Sequence, residues 1–224
     1  MRVDVAPRMS REGFAQVLQR VKSPAAIAAG GCYDAIARRG ADPATGLGFY
    51  QHESTYGTKG RARRTHGWGN QKIGSGWALR EGYADDVDEK GFLVFRPRPG
   101  EVEGGEWIRS AECWAVLVMD KYSVKEIEQI TPFYAPAGPP DFNQPTRYAS
   151  AVIEAVTEWA KLYPAEDEVT RLRREIAELE AQLKARWARL IELVPSEART
   201  LPPSGDVRET VTNPILWAGP AGHA

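Results

Sequence analysis

Glu53 closes a stretch whose residue types suit acid–base chemistry. Asp42 and Pro43 can start a helix there, Asp42 as N-cap and Pro43 at the first helical position. Leu47, Tyr50 and Ser54 then share a face, and Gly57 is a natural stop. Glu53 therefore falls in the last turn of a short, mostly apolar helix. The helix dipole puts partial negative charge at that end. This field and desolvation both disfavour an ionised carboxyl, so the spacing predicts a raised pKa. A carboxyl still protonated near neutral pH can act as a general acid.

The residues that follow suit a polymer partner. Between positions 54 and 80 there is no acid, but there are six bases: Lys59, Arg61, Arg63, Arg64, Lys72 and Arg80. The sign then reverses at Glu81, Asp85, Asp86, Asp88 and Glu89. The bases read as a rim for an anionic polymer or as a solvated loop face. Trp68, Trp77 and Tyr83 can stack on sugar rings, since an aromatic face fits the apolar face of a pyranose. The same three can equally anchor a long loop to the core. Asn70 and Gln71 have donor–acceptor amides suited to acetamido groups, or to turn chemistry.

Spacing excludes several other chemistries, and Ser-His-Asp catalysis stays open. His52-Glu53 begins a zinc-protease pattern, but position 56 is Tyr where a second His is needed. Gly67-Trp-Gly-Asn-Gln-Lys-Ile-Gly74 lacks the register of a dinucleotide loop. No cysteine pair has zinc spacing, and no nucleophile elbow is present. No cofactor and no metal are expected. The net charge of −1 implies no whole-chain attraction to nucleic acid, and no run reaches membrane-span length. Met1 to Ser10 lacks the apolar run of a secretory signal. Cys32 and Cys113 read as buried thiols or as one bridge, with buried thiols favoured for a chain made in the cytoplasm.

These residues need elements to position them. Ser10 caps a helix to about Val21, and a second helix covers about Tyr33 to Arg39. Positions 57 to 91 are Gly-rich and predict an irregular loop. Phe92 to Arg96 reads as a strand and Glu106 to Tyr122 as a helix. Ser123, with Glu126, predicts a capping box for a helix over Val124 to Ile130. Pro132 to Pro145 reads as a loop, and Thr146 to Leu162 as the last helix of a domain spanning 1–164. Residues 165–194 then repeat apolar positions at spacings of three and four: Val169, Leu172, Ile176, Leu179, Leu183, Leu190, Leu193. This predicts a coiled-coil-type helix of about 26 residues, roughly 39 Å long. A four-residue stutter brings Trp187 rather than Arg186 into the seam. Such a stripe implies a homo-oligomer or docking onto a larger particle. Residues 195–224 are a Pro-rich extended tail.

The run from Asp42 through Glu53-Ser-Thr-Tyr-Gly-Thr58 resembles the catalytic-helix motif of the glucosaminidase-type, lysozyme-like peptidoglycan hydrolases (glycoside hydrolase family 73). Gly67-Trp-Gly-Asn-Gln71, Gly91-Phe-Leu-Val-Phe-Arg96 and Thr131-Pro-Phe-Tyr-Ala-Pro136, with Asn143 and Tyr148, extend the resemblance over about residues 10 to 163. Two stretches depart from the pattern: Asp141-Phe-Asn-Gln-Pro-Thr146, and the segment after Asn70, which lacks Phe-Gly. The resemblance implies a mainly α, lysozyme-like α+β fold with a small β lobe beside the groove. It also implies cleavage of the β-1,4 bond after N-acetylglucosamine, with Glu53 as the acid. Tyr134 is then the favoured residue to bond the acid or orient a water, with Tyr148 second and a candidate for substrate contact. The second carboxylate is open among Glu81, Asp85, Asp86 and Asp88, unless the substrate's own acetamido group serves. Muramidase or lytic transglycosylase activity is the alternative on the same fold, and a non-enzymatic wall-binding component of a phage or injection particle is the other. Without a secretory signal, such a protein reaches the cell wall by phage lysis, virion carriage or an injection machine.

Overall fold

The computed structural model describes residues 1–72, 74–137, 144–165 and 168–193. The expectations for Asn143 and for the 195–224 tail lie outside them. Two units divide after Asp167, against an expected boundary at 164.

The first unit is mainly helical. Helix α1, Arg11–Arg20, starts where the Ser10 side chain accepts the Gly13 amide at 3.0 Å. A 3-10 turn, Pro24–Ala28, leads into α2, Ala29–Arg38, which begins earlier than the sequence suggests. Helix α3, Pro43–Ser54, has Asp42 as its N-cap. Asp42 is fully buried and satisfies several donors: Ala44 N at 3.2 Å, Thr45 Oγ1 at 3.0 Å, and the Arg8 amide and guanidinium at 3.0 and 2.7 Å. A buried carboxylate is tolerable only with such partners. Here they tie the N-terminal segment to the start of α3.

The 57–91 stretch is less irregular than its composition suggests. It holds two one-turn helices, α4 at Ala62–Thr65 and α5 at Trp77–Arg80, and a strand, β1, at Asp86–Val87. β1 pairs antiparallel with β2, Leu93–Val94, in the register Asp86 to Val94 and Val87 to Leu93. The expected strand over 92–96 is thus two residues long, although Phe92 makes a further bridge to Lys72. A small separate core of Ala78, Ala84, Leu93, Phe95 and Cys113 supports this lobe.

Helix α6, Gly105–Val116, ends in a π turn over Leu117–Lys121 rather than running on as α-helix to Tyr122. The capping box at Ser123 does not form. Helix α7 spans Ile127–Tyr134, with Glu126 at its N-cap. The cause is competition for the backbone. Val3 N donates to Lys125 O and Ile127 N donates to Met1 O, both at 2.8 Å, so the N-terminal segment keeps 124–126 out of the helix. Pro132 lies inside α7 instead of opening a loop. A proline there removes a donor to the carbonyl four residues back, and the Thr131 hydroxyl reaches that carbonyl, Glu128 O, at 3.4 Å.

Helix α8, Pro145–Leu162, packs on α3, and α2 packs on α6. Gly48 permits the first contact, since a Cβ there would stand 3.1 Å from Val152 O. Cys32 and Cys113 are both free and buried, and burial pushes both thiols far up. In the second unit α9, Glu168–Leu193, is one uninterrupted helix. No helix among the described residues is long and apolar enough to cross a membrane.

Candidate active site

The end of α3 is shaped by its own sequence. Thr55, Tyr56 and Gly57 take positive φ in succession, at 50, 60 and 74°. Ser54 Oγ donates to Tyr50 O at 3.0 Å and accepts the Gly57 amide at 2.8 Å, which closes the turn. Gly57 is required twice over. Its φ is left-handed, and a Cβ would come within 2.0 Å of Tyr50 Oη. The helix therefore stops one residue after Glu53 and leaves that side chain half-buried at its end.

The loop 67–71 lies against this helix. Trp68 is wholly buried, stacked on Tyr50 at 4.0 Å between centroids, and its indole N–H donates to Gly46 O at 2.9 Å. That burial leaves no face for a sugar ring, so the proposed stacking role of Trp68 is corrected to an anchoring one. The anchor brings Asn70 to the acid. Asn70 Nδ2 donates to Glu53 O at 2.8 Å and to Glu53 Oε2 at 3.3 Å. The first bond serves a carbonyl at the helix end and fixes which way the amide points.

The two tyrosines exchange their expected parts. The Tyr148 hydroxyl, on α8, donates to Glu53 Oε1 at 2.5 Å. The Tyr134 hydroxyl, at the end of α7, donates instead to Gly69 O. Gly69 has to be glycine for this, because a Cβ would stand 1.9 Å from Tyr134 Oη. Tyr134 thus fixes the loop that carries Asn70, and Tyr148 fixes the acid. Burial first, and then the negative charge of Glu53, push both phenols well above their ordinary range, so both stay protonated donors. His52 packs edge-on against Tyr148 at 4.1 Å, and desolvation lowers its pKa. Tyr148 and Asn70 thus both present hydrogens to the Glu53 carboxyl oxygens.

Glu53 opens onto a cavity of about 1060 Å³, which Asn70, Gln71, Trp77, Phe92 and Tyr134 also line. Gln71 is 6 % exposed, and neither Nε2 nor Oε1 has a protein partner among the described residues. A buried amide left unpaired at both ends is costly, so this one is poised for a ligand that both donates and accepts. Trp77 is half-buried on the lining, with Lys121 Nζ 4.8 Å above its ring. Tyr83 stacks edge-on against Trp77 and accepts from Arg39 at 2.7 Å, so it serves as a support.

The basic rim divides. Arg61, Lys72 and Arg80 line the cavity; Lys59, Arg63 and Arg64 are exposed and do not. Arg61 is engaged with Asp88 at 2.5 Å and lies over Phe92 at 4.8 Å. Of the four proposed second carboxylates, only Glu81 lines the cavity, and Lys121 holds it at 2.9 Å. Asp85 is bound by Arg98 and Arg109, Asp86 by Arg96 and Asp88 by Arg61. The π turn after α6 supplies a carboxylate that sequence reasoning missed. Asp120 lines the same cavity, is exposed, and makes no ion pair among the described residues. Its only advance signal was the apolar period of α6 failing at Met119-Asp-Lys121; a π turn in a helix is a frequent companion of functional sites.

No protein-family model matches the sequence, and no curated protein or solved structure matches it either.

Proposed function

We propose that the protein hydrolyses the glycan strand of peptidoglycan, at the β-1,4 bond after N-acetylglucosamine, with Glu53 as general acid. One observation carries this reading. The Glu53 carboxyl is held by Tyr148 and Asn70 on the wall of a large cavity, beside the unpaired amide of Gln71. An acetamido group presents one N–H and one C=O, which is what a buried primary amide can pair with. Trp77 offers an aromatic face in the same cavity. A mainly helical unit with a small β lobe on the cavity lining also supports a lysozyme-like reading.

In the reacting state Glu53 is protonated on Oε2, and Tyr148 donates to Oε1. The acid gives its proton to the glycosidic oxygen as the C1–O bond breaks and positive charge grows at C1. The carboxylate left behind is the form that Tyr148 and Asn70 stabilise, so their bonds strengthen as the reaction proceeds. A water adds at C1. Asp120 is the carboxylate we assign to take its proton, and assistance by the acetamido group that Gln71 would hold is the competing route. The exposed stripe of α9 supports assembly into an oligomer or onto a larger particle, and carriage on such a particle would bring the chain to the wall.

Digestion of purified peptidoglycan by the wild type and by Glu53→Gln tests the reading. New reducing ends at N-acetylglucosamine, lost in the variant, are expected. Reducing ends at the muramic sugar would transfer the assignment to a muramidase, and anhydro-sugar ends to a transglycosylase. No release by the wild type would leave the wall-binding alternative.

A further inference from the structure

Helix α9 carries an apolar stripe with no cover among the described residues. Leu172, Ile176, Leu179, Leu183 and Trp187 are 43 to 68 % exposed on a single unbroken helix. The spacing of Leu172, Ile176, Leu179 and Leu183 is that of a coiled-coil seam, with Ile176 and Leu183 at one core position and Leu172 and Leu179 at the other. Arg173 and Glu180 then flank the seam on one side, and Glu175 and Gln182 on the other. These flanking charges decide which partner and which direction the stripe accepts.

Parallel self-pairing sets Glu168 of one copy against Arg173 of the next favourably but Glu175 against Glu180 unfavourably, in a dimer or a trimer alike. Antiparallel pairing offers three registers. One seats Leu172 on Ile176, and it confronts Arg173 with Arg173 and Glu175 with Glu175. A second seats Leu179 on Leu183, and it confronts Glu180 with Glu180. The third seats Leu172 on Leu183 and Ile176 on Leu179. It sets Arg173 against Glu180 on both sides of the two-fold axis and Glu175 against Gln182, with no like-charge pair among these positions. Like charges across a seam oppose pairing and opposite charges select it.

We infer that α9 is a self-recognition surface that pairs with α9 of a second copy of this chain, antiparallel, in the Leu172–Leu183 and Ile176–Leu179 register. The inference is independent of the proposed enzymatic activity, because it rests only on the second unit. A pair of this kind joins its two chains with the helix starts at opposite ends of the rod. A parallel coil would bring those starts together.

The full-length protein tests it. Cys32 and Cys113 are buried, so a spin label on Arg189→Cys reports on α9 alone. In the inferred register the two labelled positions lie about 23 residues apart along the axis, roughly 35 Å. In a parallel pair they lie under about 20 Å apart. Sedimentation is expected to show a dimer, and the label distance to fall near the larger value. Glu180→Lys sets Arg173 against a second cation in the antiparallel pair while relieving the parallel one, so the dimer should dissociate about fivefold more readily. Arg173→Glu combined with Glu180→Lys should restore it to within about twofold. A monomer at every accessible concentration, a trimer, a label distance under about 20 Å, or a tighter dimer from Glu180→Lys would each overturn the inference.

Discussion

The two parts of the cavity lining are built on different physics. The part that holds Glu53 comes from the end of α3, the 67–71 loop, α7 and α8. Its fixings are a buried stack and hydrogen bonds from buried phenols: the Trp68–Tyr50 stack, the Tyr134 bond to Gly69, and the Tyr148 bond to Glu53. The other part is the lobe from Lys72 to Arg98. Its core is five side chains, of which Phe95 is the one large member, and ion pairs hold its outline: Arg61–Asp88, Arg96–Asp86, Arg98–Asp85 and Lys121–Glu81. Apart from the half-buried Asp85 and Asp88 pairs, these exposed pairs contribute little each and weaken with salt. Buried aromatic packing and satisfied hydrogen bonds do not. A reacting group needs placement within about half an ångström, and the proposed acid sits on the stiff part. The proposed sugar chain, which must enter and leave, is better met by the soft part.

The sharpest test of the division is at Glu53 itself. Glu53→Gln keeps the shape and can still accept from Tyr148, so melting should be native. Turnover of peptidoglycan should fall by about 10²–10⁴, the usual cost of losing an acid–base group. A variant that digests normally would remove the chemistry from the stiff part and end the comparison.

The tyrosines come next. Tyr148→Phe removes a donor to the carboxyl, which makes the ionised acid less favourable. The alkaline limb of the pH–rate profile, where the general acid loses its proton, should move to higher pH, and the rate at the optimum should drop by about tenfold, since the bond is charge-assisted. Tyr134→Phe acts only through Gly69 and Asn70. It should lower the rate less and leave the limb nearly in place. An equal shift from both variants would show that the two hydroxyls act on the acid as one network.

How far this site was legible from sequence follows the same line. The helix ending at Glu53 was readable because each of its signals is local: Asp42 as cap, Pro43 behind it, Ser54 and Gly57 as the stop. The stripe of α9 was readable for the same reason. The exchange of Tyr134 and Tyr148 was not, since it depends on how α7 and α8 approach α3 and on the absence of a Cβ at Gly69. Trp68 offered a sugar-binding aromatic by type, and only its position under Tyr50 made it core. The false start of α7 at Ser123 had a strong local signal that lost to a strand-like pairing with residues more than a hundred positions away. Asp120 was hidden because a π turn has no residue signature.

Acid should separate the two parts before it unfolds either. Burial alone would push the Asp85 carboxyl up, but the Arg96 amide and the Arg98 and Arg109 side chains outweigh it and hold its pKa below the ordinary range. A depressed folded-state pKa gives stability that is complete above the unfolded value, about 3.9, and lost as pH falls through the folded one. Below about pH 4 the lobe should therefore loosen. Amide exchange at Ala84, Leu93 and Phe95, whose N–H groups bond to Ala78 O, Gln71 O and Thr65 O, should accelerate there while amides of α3 and α8 stay protected. Asp85→Asn should reproduce the loosening at neutral pH, at a cost of about 1.5–3 kcal/mol for the charged hydrogen bonds. Simultaneous loss of protection in both parts would mean that the lobe is not an independent soft element.

The smallest effect is expected from the exposed bases. Arg63 and Arg64 do not line the cavity, whereas Arg61 does and is already bound to Asp88. Replacing Arg63 and Arg64 by Ser should change peptidoglycan binding by less than about twofold at physiological salt, where the Debye length is about 8 Å. A larger loss should appear only at low ionic strength. Adding Arg61→Ser leaves Asp88 without its cation and removes one of the two cations over Phe92, so it should weaken binding at both salt concentrations and loosen the lobe as well. If the two exposed arginines matter as much as Arg61 in high salt, the anionic polymer reaches beyond the cavity, and the binding surface extends over α4.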